Sequence, residues 1–422
     1  MKNRIAFISE HASPLATIGG VDSGGQNIYV AELTIHLSNL GYEIDIYTRW
    51  EDPTLAQVVY WLPGIRVIHA KAGPVEYLPK EELLQYMPEF RESMLSFMSN
   101  QHISYRLIHA NFWMSGLVAL EIKEQLNIPF VITFHALGHV RKIHQKEDDK
   151  FPSCRMDIEE EIAKKADCII AECPQDMEDL VNYYHAPVDK ISIVACGFSK
   201  EEFEPIDKDI ARAVLNLDKD EKLILQLGRM VPRKGIDNVI RAMSELQLDS
   251  PVRLLIVGGD ADQPNPETNP ELARLMRIAE EGKVSDQVSF AGRKGRHMLK
   301  YYYSAADVFI TTPWYEPFGI TPLEAMACAT PVIGSNVGGI KYSVADKETG
   351  FLVPPNNPKE LAKKMQLLLT DETMLKTMQV KALERVNTHF TWAQVAQKIS
   401  TVYNMVQKPV QHPASVSNER AA

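Results

Sequence analysis

The chain has 422 residues, of which 45% are hydrophobic and 24% charged, with a formal net charge of −10. That length exceeds one ordinary core and points to two domains, and the acidic balance argues against a nucleic-acid or membrane partner. No apolar run approaches the roughly 20 residues of a membrane span. The cysteines (Cys154, Cys168, Cys173, Cys196 and Cys328) are odd in number and form no C-x-x-C pair, which favours reduced thiols in a cytoplasmic protein.

The N-terminal MKNRIAFISEHAS holds an apolar segment too short for a signal peptide and reads as a first strand over 3–9. A long glycine-rich loop follows, then a helix with apolar positions Ile28, Leu33, Leu37 and Leu40, stopped at Gly41. Strands are expected at 43–49, 106–111, 129–135, 167–172 and 191–195. A second series starts at 222–228 and continues at 253–259, 287–292, 307–312, 331–335 and 350–354, with a helical segment between each and the next. Strands alternating with helices imply an α/β protein of two doubly wound, Rossmann-like domains with helices on both faces of each sheet. The expected domains are 1–200 and 201–390, linked by the charged stretch CGFSKEEFEPIDKD. A terminal helix over 391–407 is expected to pack back on the first domain, and the polar tail 408–422 to be disordered. Two such domains face each other across a cleft at the carboxyl ends of their strands, where open α/β sheets bind ligands.

The loops at those strand ends carry the chemistry. KLILQLG runs into RMVPRKGIDNVIRAM, which puts Arg229 and Lys234 just before a helix. Two cations and free backbone N–H groups make an anion site suited to a diphosphate, although the same residue types also populate solvated loops. In EPFGITPLEAMA, Glu316 and Glu324 flank a Pro-Phe-Gly turn, and Glu324 falls in an apolar, small-residue helix where an unpaired carboxylate is costly. Glu324 can accept both hydroxyls of a ribose and Glu316 can take sugar hydroxyls. The backbone N–H groups of Phe318, Gly319 and Ile320 can meet phosphate or hexose oxygens. The plainer alternative is an exposed Glu316 and a Glu324 paired to a lysine.

In the first half, GGVDSGGQNIYVAEL sets Gly24 and Gly25 ahead of the first helix, able to cradle a phosphate or a sugar ring. The loop from Ser9 to Gln26 is too long for a dinucleotide fingerprint and contains no G-x-G-x-x-G, which weighs against a nicotinamide dehydrogenase. His135 in TFHALGHVRK ends a strand and points into the same cleft. His135 and His139 lack a third ligand with metal spacing. Asp260-Ala261-Asp262, which mimics the D-x-D of metal-dependent transferases, reads as structural or solvated.

Jointly, the E-x7-E with FG, the G-R-x(4)-K-G loop and the DSGGQ loop resemble the family-4 retaining glycosyltransferases of the GT-B architecture over about residues 1–405. The resemblance implies that Arg229 and Lys234 bind a donor diphosphate, that Glu324 holds the ribose, and that Glu316 and the Phe318–Ile320 backbone contact the transferred hexose. His135 would face the hexose 6-hydroxyl, Gly25 would lie under the β-phosphate, and Arg293 and Lys294 would lie near the base. Two branches are similar. Sucrose-phosphate and sucrose synthases share GGQ and HALG. The inositol-phosphate N-acetylglucosaminyltransferases share Asn27, AGPVEYLPKEEL and the arginine of SCRMDIEEE. Both imply a phosphorylated acceptor, with Lys80 and Arg155 on its phosphate and Gln26, Asn27, Phe112 and Ala136 around its ring. Phe112 and Ala136 stand where the inositol branch has Tyr and Thr, and Gln26 replaces a Met, so fructose 6-phosphate is favoured, with UDP-glucose as donor. The expected reaction needs no cofactor, Mg2+ acting at most as a stimulant. A non-catalytic nucleotide-sugar-binding module of the same fold is the rival reading.

Overall fold

The computed structural model describes residues 3–16 and 24–407. Its first sheet contains β1 (Arg4–Ile8), β2 (Glu43–Arg49), β3 (Val58–Leu62), β4 (Ile65–Ala70), β5 (Ile108–Asn111), β6 (Phe130–Thr133), β7 (Cys168–Ala171) and β8 (Ile191–Ile193). Their order is β3-β4-β2-β1-β5-β6-β7-β8, parallel throughout except for the antiparallel β3–β4 pair at one edge. The second sheet contains β9 (Lys222–Leu227), β10 (Val252–Val257), β11 (Val288–Gly292), β12 (Val308–Thr311), β13 (Val332–Ser335) and β14 (Gly350–Val353). It is parallel, in the order β11-β10-β9-β12-β13-β14.

The strands read from the sequence are all present, and β3 and β4 are additional. Those two form a hairpin through Pro63 and Gly64. β3 (VVYWL) is apolar throughout yet half exposed at the edge, and β4 (IRVIHA) is interrupted by Arg66 and His69. Interior strands such as IHAN, FVIT and CIIA are buried at every position, as strands covered by helices on both faces must be.

Strand order reverses beside β1 and β5 in the first sheet and beside β9 and β12 in the second. The loops leaving those four strands define the crevice between the sheets. They begin at Ser9, Phe112, Gly228 and Thr312.

The chain crosses between the two halves twice, and the crossings run side by side. Phe198 N–H donates to the Phe390 carbonyl at 2.9 Å, and Trp392 N–H donates back to Phe198 at 3.3 Å. A side chain at Gly197 would bring its Cβ to 2.8 Å from the Trp392 indole, so only glycine permits this approach. After the second crossing, Thr391 caps the helix Trp392–Val406 by accepting from Gln394 N–H. This helix lies against the first unit: Trp392 meets Tyr29 edge-on at 5.7 Å, and Tyr42 shares a 2.9 Å hydrogen bond with Ser400. The tail expected over 408–422 and residues 17–23 of the long loop lie outside the described residues. Among the described residues no helix is long and apolar enough to cross a membrane.

His109 on β5 links the C-terminal helix to the sheet, with Nδ1 2.6 Å from the Tyr403 hydroxyl and Nε2 2.9 Å from that of Thr133. Burial, helped by neighbouring His135, pushes its pKa down to about 3. A histidine buried neutral contributes stability above its unfolded pKa of about 6.5 and loses it as pH falls towards the folded value. We therefore expect urea stability to fall between pH 6.5 and pH 5 by about 1.5 kcal/mol in total from this residue alone. A His109→Gln variant should show a measurably shallower decline across the same window.

Candidate functional site

A cavity of about 380 Å³ occupies the crevice. It is lined by Gly24, Gly25, Gln26, Asn27, Lys80, Phe112, His135, Ala136, Arg229, Lys234, Arg293, Lys294, Glu316, Phe318, Gly319, Ile320 and Glu324. Every candidate from the sequence therefore lies in its wall except Arg155.

On the second-sheet side, the loop after β9 makes one short helical turn over Pro232–Lys234 and enters the helix Ile236–Met243 through Gly235. This turn aims Lys234 at the turn after β12, where its ammonium donates to the Glu316 carboxylate. Arg233, which the sequence reading passed over although it lies inside the same motif, comes within 3.6 Å of that carboxylate. Burial works against the charged form of Glu316, but Lys234, Arg233 and Arg229 outweigh it and hold its carboxyl below the usual range. Burial pushes the Lys234 ammonium down, only partly offset by Glu316. The Glu316 turn is tightly backed: a Cβ on Gly338 would fall 1.8 Å from the Glu316 carbonyl oxygen, and Gly319 adopts φ +88°.

Glu324 lies in the short helix Thr321–Ala327 and is 2% exposed. Its partners are not the lysine of the plainer reading: Arg296 Nη1 donates to Oε1 and the Tyr303 hydroxyl to Oε2, each at 2.9 Å. The D-x-D segment supports the site from behind, Arg293 donating through Nε to Asp262 at 3.0 Å and through its backbone to Ala261 at 2.8 Å.

On the first-sheet side, His135 is set between Glu172, 3.1 Å from Nδ1, and Asn111, 3.2 Å from Nε2. Two bulky residues at these strand ends hold left-handed backbone, His135 at φ +59° and Phe112 at φ +83°. Such conformations are costly for non-glycine residues and cluster at working sites. Cys196 is pushed well above the usual thiol range, first by burial and then by Glu172, so it remains a thiol that donates to Glu172 at 3.1 Å. Gln26 donates to Ser9 at 3.2 Å and to the Asn111 carbonyl at 3.3 Å. Asn27 accepts from Gly24 N–H and donates to the Ser13 carbonyl, both at 2.9 Å, so its amide holds the helix start in place. Gly25 faces Ile320 across the cleft, where an added Cβ would lie 3.8 Å from the isoleucine.

Arg155 lies behind the wall. It pairs with Glu159 at 2.7 Å, donates to the Ala136 carbonyl at 2.5 Å, and stacks under Phe112 and Phe151 at 5.0 and 4.6 Å. Glu159 in turn accepts from Gly138 N–H at 2.9 Å, so this buried pair fixes the Ala136–Gly138 loop. The cation that lines the cavity from this region is Arg141, also overlooked in the sequence although HALGHVRK contains it. Glu172 was equally legible as the carboxylate ending DCIIAE.

The segment 207–385 matches the family described as "Glycosyl transferases group 1", and 23–202 matches "Glycosyltransferase Family 4". A D-inositol 3-phosphate glycosyltransferase of Corynebacterium glutamicum (strain R) is 34% identical over 408 residues, covering 95% of this chain and 96% of that protein. The solved sucrose-phosphate synthase of Thermosynechococcus elongatus superposes with a TM-score of 0.87 at 36% identity, over 96% of this chain and 99% of that one. The Anabaena protein HepE, solved with UDP-glucose, shares the fold at a TM-score of 0.74 and 18% identity, over 95% of this chain and 99% of its own.

Removing Lys234 takes away the nearest cation of Glu316 and leaves it the more distant Arg233, at 3.6 Å. Lys234→Met should cost about 1–3 kcal/mol in urea unfolding, below the full buried-pair figure because the cavity admits water. The double variant Lys234→Met/Glu316→Gln should recover most of that loss; additive losses would mean the pair is not coupled. Glu316 contributes stability above its unfolded pKa of about 4.5 that is lost as pH falls, and Lys234→Met should diminish that acid-sensitive component.

Proposed function

Because this chain belongs to the family-4 glycosyltransferases of the two-domain GT-B architecture, we propose that its cleft passes glucose from UDP-glucose, with retained configuration, to fructose 6-phosphate. The observation that supports the acceptor class is a cationic lining contributed from both halves. Arg229, Arg233 and Lys234 come from the second half, and Lys80, beside Glu81 at 3.5 Å, and Arg141, paired with Asp149 at 3.1 Å, come from the first. The former group suits the donor diphosphate and the latter the phosphate of the acceptor, with His135 in the wall between the two sheets. The two relatives named above at more than 30% identity carry a sugar or inositol phosphate in their names. Phe112 and Ala136 present no side-chain hydroxyl to an acceptor, which favours fructose 6-phosphate over an inositol phosphate.

In the reaction, the bond between the anomeric carbon and the diphosphate oxygen breaks, and a bond to the acceptor oxygen forms on the same face. Negative charge gathers on the departing diphosphate, where Arg229 and Lys234 stabilise it, and a diphosphate oxygen takes the acceptor's proton. Glu316 is held as a carboxylate by Lys234 and Arg233, which suits it to accept hexose hydroxyls. Closure of the two domains over the cavity limits loss of the donor to water.

A product assay offering UDP-glucose with fructose 6-phosphate, free fructose and inositol 1-phosphate in parallel tests this reading. Nucleotide release dependent on fructose 6-phosphate alone is expected. Turnover confined to inositol phosphate would replace the acceptor and keep the transfer. Separately, Arg229→Ala should lower kcat about 100- to 1,000-fold, the scale of losing one charge-stabilising donor.

A further inference from the structure

We propose that Arg296 is a positioning residue for the donor ribose. With Tyr303 it pins the Glu324 carboxylate so that each oxygen keeps lone-pair capacity for a vicinal diol. The inference rests on the reading of the cleft as a nucleotide-sugar site and adds to it the device that orients its ribose-facing group.

A carboxylate offers about four acceptor positions, two on each oxygen. Here Arg296 Nη1 occupies one on Oε1 and the Tyr303 hydroxyl one on Oε2. Both donors belong to the helix Arg296–Ala305, and Glu324, on the neighbouring helix, reaches the cavity with a side chain only 3% exposed. Held from two directions, the carboxylate cannot rotate without losing a bond on one side.

The way Arg296 divides its donors distinguishes this arrangement from simple charge balance. A guanidinium that merely neutralises a carboxylate tends to take both oxygens in a fork. Arg296 instead gives Glu324 one N–H, directs Nε to Glu202 at 2.5 Å, and lies over the Phe203 ring at 4.9 Å. Glu202 and Phe203 belong to the crossover between the two halves, so the guanidinium is held from outside the site. Its Nη2 is buried without a hydrogen-bond partner among the described residues. The fork is split, and the second position on each Glu324 oxygen remains for ligand hydroxyls.

The test measures binding of UDP, ADP and GDP, each against its 2′-deoxy counterpart, by calorimetry. The wild-type chain should prefer the ribo form of whichever nucleotide binds by about tenfold or more, the scale of a lost hydrogen bond to a charged group. Arg296→Gln and Tyr303→Phe should each reduce that preference several-fold by weakening the ribo form selectively. Tyr303→Phe keeps the Arg296–Glu324 ion pair and provides a folded variant should Arg296→Gln unfold. Lys234→Ala is the control: it should weaken both forms together and leave their ratio intact. Equal weakening of ribo and deoxy forms in Arg296→Gln and Tyr303→Phe would reduce Arg296 to structural charge balance and overturn the proposal. Tight wild-type binding without ribo preference would overturn the ribose role of Glu324 while leaving a nucleotide site. Absence of binding by all three diphosphates would instead overturn the nucleotide-sugar reading itself.

Discussion

Glu316 is a carboxylate set against Lys234 and Arg233 in the wall of the crevice, and much of the cleft is arranged around that concentration of charge. Loops from the ends of parallel strands converge there, bringing helix starts and basic side chains together, and such a region left without an anion would repel itself apart. The chain supplies its own anion from the turn after β12. Under the proposed function, arrival of a diphosphate would be an exchange of partners for Lys234 and not the filling of a bare cationic hole. The same logic holds one helical segment later, where Glu324 has Arg296 and Tyr303. The charges that face the cleft are oriented before a ligand arrives, which is the condition for electrostatic stabilisation to act without reorganisation at the moment of reaction.

The first-sheet side also buries charges, among them the Arg155–Glu159 pair and Glu172, and adds a neutral chain that runs from Tyr403 to His109 to Thr133, and from Thr133 on to Tyr29. Tyr29 packs edge-on against both His135 and Trp392. His135, with its unusual backbone, therefore rests on residues that the C-terminal helix covers, and that helix arrives from the far half of the chain. The order of the cleft wall depends on the second crossing being in place. Such neutral networks are costly when half satisfied and rigid when complete.

Strand placement was legible because parallel sheets buried on both faces leave continuous apolar runs, and the loops between them advertise themselves by glycine and charge. The β3–β4 hairpin escaped notice although VVYWL is an apolar run; Arg66 and His69 interrupt β4, and it is the antiparallel pairing of the two that makes β3 an edge strand. Within the site, residues were legible where the motif dictates the backbone, as at Gly319, Glu324 and Lys234. Arg155 illustrates the limit. Its spacing marks an arginine near the cleft, but only three-dimensional packing reveals that Glu159 neutralises it beneath Phe112, and that Arg141, one helical turn past HALG, reaches the cavity in its stead. Partner choice between charges distant in sequence, such as Arg296 with Glu202 and Glu324, leaves no periodic trace at all.

Charge alone is a weak basis for choosing between phosphorylated acceptors. In the proposed acceptor site, cations such as Lys80 and Arg141 would attract a fructose phosphate and an inositol phosphate alike, because both present the same dianionic group. Discrimination must come from the ring hydroxyls. Sites that build hydrogen-bonding partners for a hydroxyl reject analogues lacking it by large factors, whereas an apolar wall discriminates by shape and weakly. Phe112 and Ala136 place apolar surface beside His135, so an acceptor that needs side-chain hydroxyls at those two positions gains nothing there. One whose ring presents carbon to the same wall loses nothing. Under the proposed function, the cleft would select its acceptor class by charge and its ring by the absence of side-chain hydroxyls at Phe112 and Ala136.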